Sequence, residues 1–377
     1  QRSGSSSLLK ILRGIERRVQ LAVRSVFRAM RRGDANASPE LTNISRILVV
    51  RTDKIGDAVN STPLFNVLRR AFPDAAIDLV LGRRNRVLAP LLPAPLFRHI
   101  LFAPNKPIEA IRFARALRRN RYDLAINLLP NDSNTAALVT ILSGARIKLG
   151  FANAASAFYD IVIPLDANAI PYARRTLSLA SGLGIALPDE ADAPLTLAIP
   201  PAASESINSI DSDLRTAGRP VAMINISCTM PERFWGADVS ARLARDLRAA
   251  GLEPVIVAAP SDVAAQQQIA AASAARAIAP RASLAEFVAI LSCADLIVTP
   301  DTSVAHIAAA LGKPTVMLAE STFKAVEGAP WRTPNRTLAG SGETVRDIPY
   351  ETIIEAVLSL ARDTVLPQPN AAVASKQ

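Results

Sequence analysis

At 377 residues, half of them apolar, the chain is long enough for two domains with full cores, which excludes a disordered protein and a small disulfide-stapled one. Cys228 and Cys293, with His99 and His306, lack metal-ligand spacing and cannot build a disulfide framework, a zinc site or a Ser-His-Asp triad, and no apolar run reaches the roughly 18 residues of a membrane span. The formal charge is +10, yet residues 1–46 hold ten Lys or Arg against Glu16, Asp34 and Glu40, so the remainder carries only +3 and a nucleic-acid-binding core loses its compositional support.

The Ser-rich residues 1–7 are expected to be disordered. Over 8–30, Leu8, Leu12, Ile15, Val19, Val23, Val26 and Met30 recur at helical steps while Lys10, Arg13, Arg17, Arg24 and Arg28 follow the same period on another face, predicting a basic amphipathic helix. Such a helix suits an anionic membrane interface, where each Lys or Arg gains about 1 kcal/mol, or packing on a domain with its basic side solvated. Arginines interrupt every stretch that a signal peptide would need apolar. Residues 33–43 read as a linker. A buried strand over 46–50 leads into Arg51-Thr52-Asp53-Lys54-Ile55-Gly56-Asp57 and a helix over 58–71, regular from Pro63. Strands over 77–81, 124–128 and 147–150 alternate with helices over 108–119 and 134–142, which predicts a parallel, doubly wound sheet. A helix over 172–183 and an Ala/Pro/Asp-rich linker over 187–204 follow.

The alternation restarts with a strand over 220–226, then helices over 239–250, 263–274 and 284–291 around a strand over 254–258. Residues 294–318, ADLIVTPDTSVAHIAAALGKPTVML, read as a βαβ unit: a strand over 296–299, a turn at Pro300-Asp301-Thr302, a helix over 303–311 and a strand over 315–318. Thr302 and Ser303 can cap the helix start, and Gly312 can close its end in the left-handed conformation. The free N–H groups of that start suit a phosphate, although any βαβ unit offers such an end and Asp or Thr there can be a cap and nothing more. His306 can donate to a phosphate or to a backbone carbonyl. Asp57, just beyond a strand end, can take a proton from a hydroxyl or cap the next helix. Asp211-Ser212-Asp213 has metal-site spacing but is expected to N-cap a short helix. A last helix over 351–362 precedes a Pro/Ala tail expected to hang free.

PDTSVAHIAAALGKPTV resembles the nucleotide-sugar motif of glycosyltransferase family 9, the heptosyltransferases of bacterial lipopolysaccharide assembly, which usually reads N-D-T-G-x-x-H-L-A-A-A-L-G-K-P-T. Here Pro300 replaces Asn and Ser303 replaces Gly. ILVVRTDKIGDAVNSTPLFNVLRRAFP, residues 47–73, resembles the family's I-L-V-V-R-x-D-x-I-G-D-x-V-x-x-T-P-x-x-x-x-L-R-x-x-F-P. ISCTMPERFWGADVSARLARDL resembles the region where the family carries Lys or Arg, one residue, then Trp, here Arg233 and Trp235. AAPSDVAAQQ resembles the G-G-P-x-[DE] turn, with Ala258 and Ala259 in place of the glycines.

The resemblance implies the α/β GT-B fold, two Rossmann-like doubly wound parallel-sheet domains facing a cleft: a basic helix and linker over 1–45, an acceptor domain over 46–200, a nucleotide-sugar domain over 201–348, and a C-terminal helix and tail over 349–377. It implies Asp57 as general base, with Lys54 and Gly56 on the acceptor side. Arg233 and the amides from Asp301 through Thr302 to Ser303 would hold the donor diphosphate beside His306, and Asp262 the ribose hydroxyls. The implied reaction is inverting, metal-independent transfer of a sugar, heptose from ADP-heptose, to a lipid-linked saccharide of lipopolysaccharide or another cell-surface glycan. No cofactor and no nucleic acid are expected. The implied location is cytoplasmic, peripheral on the anionic inner face of the inner membrane through residues 8–32. A nucleotide-sugar epimerase, which shares the architecture, and a non-catalytic nucleotide-binding assembly factor, suggested by Ser303, Ala258 and Ala259, stay open as alternatives.

Overall fold

The computed structural model describes residues 41–104, 107–189 and 192–366. The amphipathic helix expected over 8–30, most of the linker over 33–43 and the C-terminal tail lie outside them. Six parallel strands, β1 (Arg46–Arg51), β2 (Ala76–Leu81), β3 (His99–Phe102), β4 (Leu124–Asn127), β5 (Ile147–Phe151) and β6 (Ile161–Ile163), form a sheet in the order β3-β2-β1-β4-β5-β6. A second sheet joins β7 (Val221–Asn225), β8 (Glu253–Val257), β9 (Arg276–Ala277), β10 (Leu296–Pro300), β11 (Thr315–Ala319) and β12 (Asn335–Ala339) in the order β12-β11-β10-β7-β8-β9. The two orders are one topology used twice. In each, the first strand lies centrally and the winding reverses beside it, between β1 and β4 and between β7 and β10, which opens a crevice at the carboxyl ends of those strands.

Central strands read as unbroken apolar runs because helices cover both faces. Ile47, Leu48, Val49 and Val50 are fully buried, each side chain contributing about 1.5–3 kcal/mol. The helix Tyr350–Thr364 buries Ile353, Val357 and Leu360 in the same cluster as Val316 and Leu318 of β11, so it covers the second sheet. Between the domains, the helix Ser303–Ala310 packs against the helix Ile55–Val59, and the Trp331 indole donates to the carbonyl of Ala193 at 2.8 Å.

Three local expectations change. The helix expected over 58–71 is two helices, Ile55–Val59 and Thr62–Ala71. Pro63 has no N–H for the Val59 carbonyl four residues back, and that carbonyl instead accepts from the Thr62 hydroxyl at 2.8 Å. The helix expected over 172–183 is α-helical only over Tyr172–Leu177, then tightens to a 3₁₀ turn that ends at Gly184 with φ +68°. Asp211 and Asp213 lie inside the helix Asn208–Arg215 instead of capping it, where they pair with Arg215 at 3.4 Å and Arg276 at 2.6 Å.

Candidate active site

Arg51 ends β1 and is buried. Its guanidinium spans the crevice of the first sheet, donating through Nη1 to the carbonyl of Leu128, just past β4, at 2.6 Å. Through Nη2 it donates to the backbone carbonyl of Asp57 at 3.0 Å. Two carboxylates share this one cation: Asp53 Oδ1 is 3.3 Å from Nε and Asp57 Oδ1 is 3.9 Å from Nη2. Burial pushes the Asp53 carboxyl up to about 6; Arg51 pulls it down and the neighbouring Asp57 adds to the rise. Asp57 lies in the first turn of the helix Ile55–Val59, whose N-cap position belongs to the exposed Lys54, and the next helix takes Ser61 as its N-cap residue. The side chain of Asp57 therefore has no capping role.

The second sheet has its own bridge across the crevice. Asn225, ending β7, donates to the Thr299 hydroxyl on β10 at 2.9 Å. After β10 the chain turns through Asp301 to Thr302, whose hydroxyl accepts from Val304 N at 3.3 Å and caps the helix Ser303–Ala310. Ser303 is the first helical residue and not the cap, and Gly312 has φ +68°, left-handed as expected. Arg233 is a largely buried residue of the turn Pro231–Arg233. Its Nη1 donates to the Asp301 carbonyl, and its Nη2 lies 2.8 Å from Glu320 Oε1 and 3.1 Å from Asp301 Oδ2. Burial works against its charge, and Asp301 and Glu320 more than offset that. The Asp301 carboxylate thus holds Arg233, while the backbone beside it starts the helix. Asp262 sits after β8 and accepts from the Ser227 hydroxyl at 2.6 Å, and Ser227 Oγ in turn accepts from Ala259 N at 2.7 Å. Trp235 is buried and donates to Ser240.

The two halves meet at Gly56. A Cβ there would come within 2.6 Å of His306 Cδ2 and 3.3 Å of the Ser303 Cα, so the glycine lets the second-domain helix start lie directly against the Asp57 turn. Gly56 is buried in this contact. His306 is buried, and its Nδ1 has no hydrogen-bond partner among the described residues. Burial drives its pKa down, with Asp301 and Asp57 pulling the other way, and the net fall leaves the imidazole neutral at pH 7. Tyr172 meets His306 edge-on at 6.1 Å. Beside them the buried Glu327 joins the domains, 2.6 Å from Arg175, 2.6 Å from Lys324 and 3.2 Å from the Tyr172 hydroxyl. Among the described residues no group of three or more His, Cys, Asp or Glu side chains is placed to hold a metal ion.

Sequence reasoning passed over Arg51, Asp53, Ser227, Glu320 and Glu327. The first two stand inside the R-x-D part of the N-terminal motif and could have been found there; Glu320 and Glu327 carry no local signal and arrive through the fold.

Twin doubly wound sheets that turn the carboxyl ends of their strands toward a shared cleft make up the GT-B fold class. Comparison narrows the class. Residues 110–339, a span that includes Arg233, Asp262 and the turn at 301–303, match the model of glycosyltransferase family 9 (heptosyltransferase), and the chain belongs to that family. It is similar to lipopolysaccharide heptosyltransferase 3 of Escherichia coli, 26% identical over 74% of this chain and 83% of the relative. Its similarity to lipopolysaccharide heptosyltransferase 2 of Escherichia coli K12 is 28% identity over 72% of this chain and 82% of the relative. Among solved structures, a family 9 glycosyltransferase from Veillonella parvula superposes with a TM-score of 0.75 at 18% identity, covering 87% of this chain and all of the other. The Escherichia coli ADP-heptose heptosyltransferase II superposes at 0.66 with 24% identity, covering 84% of this chain and 98% of the other.

Proposed function

We propose that this glycosyltransferase transfers heptose from ADP-heptose to a lipid-linked saccharide of lipopolysaccharide, with inversion and without a metal ion. The observation that carries the reading is the contact at Gly56, which sets Asp57 beside the helix start at Ser303 and both beside His306. An acceptor hydroxyl that attacks the anomeric carbon gives its proton to Asp57 while the bond from that carbon to the diphosphate oxygen breaks on the opposite face. The released nucleoside diphosphate carries the new charge, which Arg233 and the amides of Thr302 and Ser303 meet. The expected Asp301 amide is not available, because its N–H is given to the Leu318 carbonyl at 2.8 Å, and the Val304 N–H is taken by the Thr302 hydroxyl. Asp301 and Glu320 fix the orientation of Arg233 before the donor arrives, and the diphosphate shares the guanidinium with them. Asp262, held by Ser227, takes the ribose hydroxyls, and the exposed Lys54 faces the acceptor side. A neutral His306 supports this step as a hydrogen-bonding group, adding no charge. The names of the curated relatives and a solved Escherichia coli heptosyltransferase complex with ADP support the donor and the pathway. The working location is the cytoplasmic face of the inner membrane, with residues 8–32 as an anchor.

Thermal unfolding of the full chain with ADP, UDP, GDP and their sugar conjugates tests the donor. A ligand at 100 times its dissociation constant adds about 2.7 kcal/mol, so selective stabilisation by ADP and ADP-heptose is expected. Stabilisation by UDP or GDP alone overturns the ADP assignment, and no response to any nucleotide favours a non-catalytic module whose clamp stays closed on Asp301 and Glu320.

A further inference from the structure

Between Gly82 and Arg119 the sequence holds nine Lys or Arg and a single acid, Glu109, a local charge of +8 in a chain whose total is +10. The fold collects much of this at one corner of the first domain, formed by the loop after β2, the end of the edge strand β3 and the first turns of the helix Pro107–Arg119. Arg83 and Arg84 are exposed in the loop. Arg112 and Arg115 are exposed on the helix, whose opposite face packs Phe113 and Leu117 onto the sheet.

The same corner exposes large apolar side chains: Val87 is 48% exposed, Phe102 43%, Ile108 64% and Ile111 53%. The Arg86 guanidinium lies 5.2 Å from the centre of the Phe102 ring, which ties the loop to the strand end. Apolar groups left in water cost free energy, and a cluster of them ringed by arginines marks an interaction surface. This mixture fits a lipid interface, where apolar side chains enter the acyl boundary and guanidinium groups meet the phosphates of anionic headgroups. The position is also apt. A Cβ on Gly82 would lie 2.1 Å from the Thr52 carbonyl oxygen, so the loop that carries Arg83 and Arg84 abuts the turn that leads to Asp53 and Asp57.

We propose that this corner docks the first domain on an anionic bilayer and brings the acceptor side of the cleft to the lipid surface. The residues that form this surface are other than 8–32, and the proposal does not depend on which sugar is transferred.

The test uses the full chain with Cys228→Ser and Ile108→Cys, labelled at position 108 with an environment-sensitive fluorophore. It is mixed with phosphatidylcholine vesicles with or without phosphatidylglycerol, at roughly 0.1 M salt so that charge attraction is only partly screened. A blue shift with the anionic vesicles and none with the neutral ones is expected. Because each arginine near an anionic surface strengthens binding about fivefold, the unlabelled triple variant Arg84→Glu, Arg112→Glu, Arg115→Glu should partition at least on the order of a hundredfold more weakly, with an unchanged circular dichroism spectrum. A protein that sediments with the vesicles while the label stays unmoved places binding elsewhere on the chain, residues 8–32 included, and overturns the proposal. So does a triple variant that partitions like the unlabelled parent, or a parent that ignores anionic vesicles.

Discussion

Replacing Asp53 by Asn tests the electrostatics of the Arg51 site. One buried guanidinium faces two carboxylates there, and the Asp53 carboxyl is pushed from its ordinary 3.8 up to about 6. Each pKa unit is worth about 1.4 kcal/mol, so ionising Asp53 opposes folding by about 3 kcal/mol. The folded-state pKa lies above the unfolded one. The contribution of Asp53 to stability is therefore fully present below about pH 4 and is lost as pH rises through about 6. His306, whose pKa burial lowers, acts in the opposite direction: its neutral form favours folding above about 6.5, and that contribution is lost as pH falls. Because both proteins keep His306, it cancels in the difference between wild type and Asp53→Asn, and the lost attraction to Arg51 grows only as Asp53 ionises. Urea unfolding of both proteins, followed by circular dichroism from about pH 4 to about pH 7, gives that difference. Wild type should lose roughly 2–3 kcal/mol relative to Asp53→Asn across the range. A difference that stays flat within about 0.5 kcal/mol would show that Asp53 ionises as freely as in a peptide, and the shared-cation account would fail.

Glu327→Gln should destabilise the protein by about 3 kcal/mol, because Arg175 and Lys324 lose a buried partner, with a matching fall in unfolding midpoint. Burial raises the Glu327 carboxyl, but Lys324 and Arg175 outweigh it and hold it below 4.5, so its contribution is present above that value and is lost as pH falls through the folded-state pKa. Gly56→Ala forces a methyl group against His306, and a loss of about 1–3 kcal/mol together with weaker ADP binding by calorimetry is expected. Arg233→Lys keeps the charge but cannot bond Asp301 and Glu320 as a fork, so ADP affinity should fall about tenfold in the same assay.

The parts legible in the sequence were those with local causes. The apolar run of β10, the cap at Thr302 and the left-handed Gly312 mark out the second-domain βαβ unit within a few residues. The doubly wound alternation followed from the long central strands. Two of the four edge strands carry no local signal: β9 has two residues, and β12 reads Asn-Arg-Thr-Leu-Ala, with neither an apolar run nor a clean alternation. The break before Pro63 could have been drawn from its missing N–H. No local pattern could supply the pairing of Arg233 with Glu320, 87 residues on, or of Arg175 with Glu327, 152 residues on. For the same reason Asp301 could be placed at the helix start, while the engagement of its carboxylate with Arg233 could not be read.

The central claim is that Asp57 and the helix start at Ser303 act on one anomeric carbon. The direct measurement is ADP release from ADP-heptose in the presence of a lipid-linked core saccharide, with the anomeric configuration of the product read by NMR, for wild type and for Asp57→Asn. Wild type should release ADP and form the inverted heptoside. Asp57→Asn should bind ADP with unchanged affinity and turn over about 10² to 10⁴-fold more slowly. Wild-type turnover by Asp57→Asn, or a product with retained configuration, would contradict the account.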